Sequence, residues 1–379
     1  MNKNSIPLFK IFWDKKDVES VTEVIKSGAN WAIGPKIEEF EKAVSAYVGT
    51  KYALAFNSGT SALHALMIAY GFGPGDEIIV PAFSFIATAN SPVFVGAKPV
   101  FAEIEDVTFG LDPKDIEKKI TKKTKAIMPM HYGGSACQIG EIKKIADKNN
   151  LILIEDAAES LGTKVGKKMV GTFGDSAMFS FCGPKVITTG EGGVIVTNNK
   201  EVYEKMKMVR SHGRLETENY FTTSDYMDYV ELGYNFRMSS ITAALGISQL
   251  GKIDKVIKMR RENASYLTNK LSGMKEITTP NARKGGFVSY QMYTIKLRDG
   301  KKTRDMLKDY LNKAGISAKV YFEPIHLSKF YRDKFGFKKG DLFVTENISG
   351  EVLTLPMYPS LTKKEMDYIV KNIKTFFNK

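Results

Sequence analysis

The chain has 379 residues, enough for a large buried core and, by length, two domains. Its 43% hydrophobic content is that of an ordinary soluble globular protein, and two cysteines, Cys137 and Cys182, exclude a disulfide framework. The formal charge of +13 could meet nucleic acid, an acidic membrane or a phosphorylated small molecule, or serve solubility alone; no zinc-knuckle spacing and no aromatic-basic RNA signature accompanies it, and neither a nucleic-acid partner nor a metal site is expected.

The N-terminus, "MNKNSIPLFKIFWDKKD", has no long apolar core and no small-residue cleavage site, so no signal peptide is expected. With so few cysteines, a cytoplasmic location follows as the expectation. From Lys51 to about Thr197, short apolar runs alternate with helical patterns. "YALAFN" reads as a strand and Ser61–Tyr70 as a helix. "EIIVP" is a strand that opens an uncharged stretch, Ile78 to Ala97, nearly long enough to span a bilayer. Pro81 and Pro92 break it, so a buried strand, a turn and a buried helix are expected instead, and no membrane span. "PVFAEI" and "KAIMPMH" are strands, "IGEIKKIADKNN" an amphipathic helix, and "LILIED", "SAMFSF" and "GGVIVTN" three more strands. Apolar strands separated by helices argue for an α/β domain, its sheet mainly parallel and covered on both faces, with ligands at the carboxyl ends of the strands. Past "RMSSITAALGISQLGKIDKVIKMRRENASYLTNKL", one or two long helices, the pattern becomes isolated strands and helices. This places a large domain at residues 1–250 and a smaller α+β domain at 251–379, with the boundary near Gly251.

Four short stretches carry chemistry. "NSGTSALHAL", from Asn57, is a strand end, a turn and a helix start, whose free amides and hydroxyls make either an anion site or a plain N-cap. Glu155 and Asp156 end the buried strand "LILIED", and each is open to a capping or a functional role. Lys185 follows the apolar "FSF" and precedes "TTGEGG". Most lysines are solvated surface residues; one confined in this way is suited to Schiff-base chemistry, which needs a neutral amine. "GYNFRMSS" sets Asn235 and Arg237 just before a helix. An anion cradle, a carboxylate and a confined lysine at strand ends are the three groups pyridoxal phosphate requires. No Walker loop and no G-x-G-x-x-G fingerprint is present.

These stretches, with "GPGDEIIVPAFSFIATAN", "SGANWAIGPKIEEFE", "YFEPIHL" and "LPMYPSLT", resemble the nucleotide-sugar aminotransferases of the DegT/DnrJ/StrS group over nearly the whole chain. The resemblance implies a fold-type-I pyridoxal-phosphate transferase with a mainly parallel seven-stranded sheet, helices on both faces and a smaller α+β C-terminal domain. It implies that Lys185 bonds the cofactor and later shuttles a proton, and that Asp156 keeps the ring nitrogen protonated. Gly59, Thr60, Ser61 and Ser180 would hold the phosphate, Phe85 would cover the ring, and Glu159, where many members carry Gln, would lie at the cofactor. Asn235 would reach the phosphate of a neighbouring subunit in a homodimer with shared sites. Trp31, Arg237, Tyr321 and His326 would face the substrate. The pattern F-S-F-x-G-x-K-x-I-T-T-G-x-G-G is similar to that of GDP-perosamine synthases and related 4-aminotransferases. Two positions depart from the pattern, Cys182 where many members have His and Pro184 where Asn is expected in that subgroup. The implied reaction moves an amino group from glutamate to a keto carbon, C4, of a nucleotide-linked deoxysugar. A C3 enzyme or one using UDP- or dTDP-linked sugars, a fold-type-I lyase, and a regulatory protein that kept the fold are the alternatives.

Overall fold

The computed structural model describes residues 5–214, 223–224, 226–281, 283 and 285–378. Two helices come first. α1 (Lys15–Lys26) opens on a capping box between Asp14 and Asp17. α2 (Pro35–Val48) starts with proline and stops at Gly49, whose φ of 90° a side chain would disfavour.

Alternating strands and helices follow: β1 (Tyr52–Phe56), α3 (Gly59–Ala69), β2 (Glu77–Pro81), α4 (Ile86–Phe94), β3 (Lys98–Ala102), α5 (Pro113–Lys119), β4 (Thr124–Ile127), α6 (Ile139–Lys148) and β5 (Ile152–Asp156). A small hairpin, β6 (Lys164–Val165) and β7 (Lys168–Met169), precedes β8 (Ser176–Ser180), β9 (Gly193–Thr197) and α7 (Lys200–Arg210). Seven strands form one sheet in the order β1-β9-β8-β5-β4-β2-β3. Only β9 runs against its neighbours, β1 and β8; the remaining pairs are parallel.

Both faces of this sheet are buried, and the two-residue strand period sorts its side chains. In β1, Leu54 and Phe56 pack with α3, whereas Ala53 and Ala55 pack with α2. In β8, Met178 takes the α3 side, and Ala177 and Phe179 the other. The uncharged stretch splits into β2, a turn and α4, as its prolines foretell. Pro92 has no N–H for the Thr88 carbonyl, and Ser91 Oγ donates to that carbonyl at 3.1 Å in its place. Among the described residues no helix is long and apolar enough to cross a membrane.

The remainder comprises α8 (Ser240–Leu250), α9 (Ile253–Leu271), β10 (Ile277–Thr278), β11 (Gly286–Phe287), β12 (Tyr293–Leu297), α10 (Gly300–Lys313), α11 (Lys329–Phe335), α12 (Phe343–Glu351), β13 (Val352–Leu355) and α13 (Lys363–Phe377). β10, β12 and β13 make an antiparallel sheet with its own core, which includes Leu267, Ile295, Leu307 and Ile369. Helix α9 joins the two parts. Val256 and Ile257 pack with α2, and Leu267 and Leu271 lie in the C-terminal core. Ile6 also belongs to that core, bonded across to Gly315 and Ser317. Leu8 continues this attachment through Met357, which carries the N-terminal segment past the carboxyl edge of the large sheet.

Candidate active site

The carboxyl ends of β5 and β8 and the start of α3 meet at one edge of the sheet, where a cavity of about 390 Å³ opens. Strand alternation decides which acid enters it. Glu155 points to the face away from α3. It accepts the N–H groups of Gly171 at 2.8 Å and of Phe173 and Gly174 at 2.7 Å, and lies 2.9 Å from His131 Nε2. It is therefore a structural acid. Asp156 lines the cavity at 3% exposure, accepting from Thr88 Oγ1 at 2.6 Å and from the Ala158 N–H at 3.1 Å. Burial pushes its carboxyl above the usual range, against the opposing effect of those hydrogen bonds and of the Lys185 charge.

Lys185 enters the same cavity with a side chain only 14% exposed, its Nζ 3.4 Å from Glu159 Oε1. The other oxygen of Glu159 accepts the Gly133 N–H at 2.9 Å. Burial raises this carboxyl too, opposed chiefly by Lys185.

Ser58 caps α3, its Oγ accepting the Ser61 N–H at 3.1 Å. The first-turn amides of Gly59 and Thr60 have no intrahelical acceptor, and both residues line the cavity. The seat is tight. A Cβ on Gly59 would stand 2.9 Å from Met178 Sδ, and one on Gly193 would stand 2.6 Å from Gly59 Cα. Glycine at these two places lets the helix start press onto the strand ends. Ser180, Phe85 and Tyr321 also line the cavity, and Phe85 is 59% exposed at its mouth.

The cavity thus brings together Gly59, Thr60, Phe85, Asp156, Glu159, Ser180, Lys185 and Tyr321. Ser61 stands one step back, its hydroxyl 2.8 Å from that of Ser58. Trp31 is half exposed and Asn235 exposed, both outside the cavity. Arg237 lines a separate groove between α2 and α7. His326, placed at the substrate by resemblance, is fully buried in the turn Ile325–Leu327, its Nε2 3.0 Å from Glu346 Oε1. This is the geometry of a histidine that holds a turn. Ser58, Thr88 and Gln291 line the cavity without having been singled out in the sequence; only Ser58, as the N-cap before an apolar helix, carries a local signal.

The donor set fits pyridoxal phosphate. Two free helix-start amides with neighbouring hydroxyls suit a phosphate, a buried carboxylate lining the cavity suits a protonated ring nitrogen, and an enclosed amine suits an aldehyde. On this sheet, such a site defines a fold-type-I pyridoxal-phosphate enzyme.

The chain belongs to the DegT/DnrJ/EryC1/StrS aminotransferase family, whose model matches residues 13–374. It is 38% identical over 341 residues to the GDP-perosamine synthase of Caulobacter vibrioides, covering 89% of each chain. Its fold is similar to that of Helicobacter pylori PseC, an aminotransferase of pseudoaminic acid biosynthesis (TM-score 0.93, 32% identity, 99% of this chain and 100% of that one). It is similar too to the PLP form of the putative sugar aminotransferase Spr1654 from Streptococcus pneumoniae (TM-score 0.92, 26% identity, 99% of both chains). The protein is a pyridoxal-phosphate-dependent aminotransferase.

Proposed function

We propose that the enzyme transfers the amino group of glutamate to the C4 keto carbon of a nucleotide-linked deoxysugar, as a cytoplasmic homodimer with shared sites. The convergence of Lys185, Asp156 and the α3 amides in one cavity is the observation that carries the aminotransferase part of this reading. The sugar-nucleotide part is supported by the likeness to the GDP-perosamine synthase. The formal charge of +13 is consistent with two phosphorylated ligands.

Bound pyridoxal phosphate supplies an electron sink that lets a C–H bond beside nitrogen break and re-form. The chain does the rest. The Gly59 and Thr60 amides and the Ser180 hydroxyl would hold the phosphate, and Asp156 would keep a proton on the ring nitrogen. Phe85, at the mouth of the cavity, would shield the bound ring. Lys185 Nζ would anchor the aldehyde and serve as the base that carries the proton from the donor's α-carbon. The same amine serves both halves, because donor and acceptor enter one cavity in turn. Asn235, exposed on its own subunit, would reach the site of the partner. The two units proposed, 1–250 and 251–379, would both contribute to the cavity, whose wall includes Leu8 and Phe9. The test is a panel of GDP-, UDP- and dTDP-linked 3- and 4-keto deoxysugars incubated with enzyme, cofactor and glutamate and read by mass spectrometry. Conversion of a 4-keto compound with glutamate consumed supports the reading, and conversion of none overturns it.

A further inference from the structure

Gln291 lies just before β12 and is 6% exposed, yet it lines the cavity. Its Nε2 donates to the carbonyl of Pro184, the residue before Lys185, at 3.0 Å. A carbonyl only accepts, so this bond fixes which way the amide is turned. Oε1 is left over, buried and without a hydrogen-bond partner among the described residues. It cannot swing away to find one. The wholly buried Arg260 holds the local backbone, its Nη1 donating to the carbonyls of Tyr290, Gln291 and Met357 at 3.2 Å each. Met292 N–H donates to the Gly133 carbonyl at 3.1 Å, and a Cβ on Gly134 would come within 2.8 Å of Gln291 N. The root of the side chain is clamped and its tip pinned beside the lysine.

A buried acceptor without a donor is costly, so this atom calls for a partner from outside the chain, a water or a ligand group. We propose that Gln291 is a specificity-determining residue whose Oε1 accepts a hydrogen bond from the sugar hydroxyl next to the keto carbon. This rests on the sugar-nucleotide reading above. The chemistry of the ligands selects the hydroxyl. Phosphate and the glutamate carboxylates present only acceptor oxygens at neutral pH and would be repelled. The one donor group of glutamate is the amine that reacts. A sugar ring offers O–H donors, and the pin to Pro184 ties the amide to the residue before the reacting lysine, in the cavity both side chains line. For a C4 ketone the partner is the 3-hydroxyl. A site that hydrogen-bonds a substrate hydroxyl rejects the analogue lacking it far better than an apolar wall selects by size.

The experiment compares a GDP-linked 4-keto-6-deoxyhexose with its 3-deoxy counterpart. Wild type, Gln291→Met and Gln291→Glu are assayed for kcat/KM with each, for the glutamate half-reaction alone, and for binding by calorimetry. Wild type is expected to prefer the hydroxylated compound by roughly 5- to 150-fold, the range for one buried polar group left unpaired. Gln291→Met should lose that preference while its glutamate half-reaction stays near wild type. Gln291→Glu loses the donor that pins the side chain to the Pro184 carbonyl and sets a carboxylate oxygen against it, so it should lose the preference as the Met variant does; if neither variant folds, the response of wild type to the 3-hydroxyl decides the matter. A wild type indifferent to the 3-hydroxyl overturns the inference and leaves aminotransfer to a sugar standing. So does an undiminished preference in Gln291→Met, or an equal loss in both half-reactions, which is the mark of a purely structural role. A wild type that binds neither compound removes the sugar reading and this one together.

Discussion

Glu155 and Asp156 are neighbours in β5, both buried, and they face opposite sides of the sheet. One holds the loop at Gly171–Gly174, and the other enters the cavity. Substitution should separate them. Glu155→Gln faces an NH2 group toward backbone donors and breaks a buried network. It should lower stability by about 3 kcal/mol, from loss of hydrogen bonds to a charged group. Asp156→Asn should fold but lose cofactor affinity and cut turnover by orders of magnitude. Thermal melts and steady-state kinetics of the pair check this, and equal melting temperatures for the two variants would contradict the division of roles.

Burial holds the Asp156 carboxyl above the ordinary aspartate value of 3.8. In the unfolded chain the proton leaves near 3.8, while the folded chain keeps it to higher pH. The stability this group contributes is therefore complete below 3.8 and is lost as pH rises through the folded value. Melting curves of wild type and Asp156→Asn without cofactor should diverge as pH rises, with wild type falling relative to the variant. Adding pyridoxal phosphate should stabilise wild type more at neutral than at mildly acidic pH. A wild-type minus variant difference that is flat with pH would contradict the argument.

His326 and Glu346 are bonded at 3.0 Å, away from the cavity, and the Gly340 N–H shares the same carboxylate oxygen. His326→Asn should cost about 1.5–3 kcal/mol in stability, the loss of a hydrogen bond to a charged group. The KM for the sugar nucleotide should not move. A raised KM at unchanged melting temperature would return this histidine to the substrate.

Asn235 is exposed, and its carbonyl accepts from Asn57 Nδ2 at 3.5 Å. If it completes the partner's site, mixing an inactive Asn235→Ala chain with an inactive Lys185→Ala chain restores part of the activity, because some mixed dimers hold one intact site. Activity from a species that light scattering shows to be monomeric would rule out the shared site.

Most of the large sheet was legible because its strands are short apolar runs bounded by turn residues, and its helices carry a 3.6-residue period. The strand direction of β9 was not. "GGVIVTN" is apolar throughout, and a strand buried on both faces reads the same whichever way it runs. Lys185 and Asp156 stood out because a lysine after "FSF" and an acid after "LILI" break strong patterns. The choice between Glu155 and Asp156 needed the side of the sheet on which α3 packs, and that is a tertiary fact. Gln291 reaches Pro184 across more than 100 residues of chain. Thr88 reaches Asp156 from α4. Neither spacing carries a local signal. The surroundings of His326 were hidden for the same reason, since a lone histidine in a motif does not reveal that a carboxylate such as Glu346 lies 3.0 Å from it.

The central claim is that Lys185 Nζ is the amine that holds the cofactor. Purified enzyme loaded with pyridoxal phosphate, reduced with borohydride, digested and mapped by mass spectrometry tests it directly, since reduction makes the lysine–cofactor bond permanent. The account predicts the added cofactor mass on the peptide containing Lys185 and on no other lysine, with no label and no yellow colour in a folded Lys185→Ala variant. Label on a different lysine, or a Lys185→Ala variant that still traps the cofactor and turns over, would contradict it.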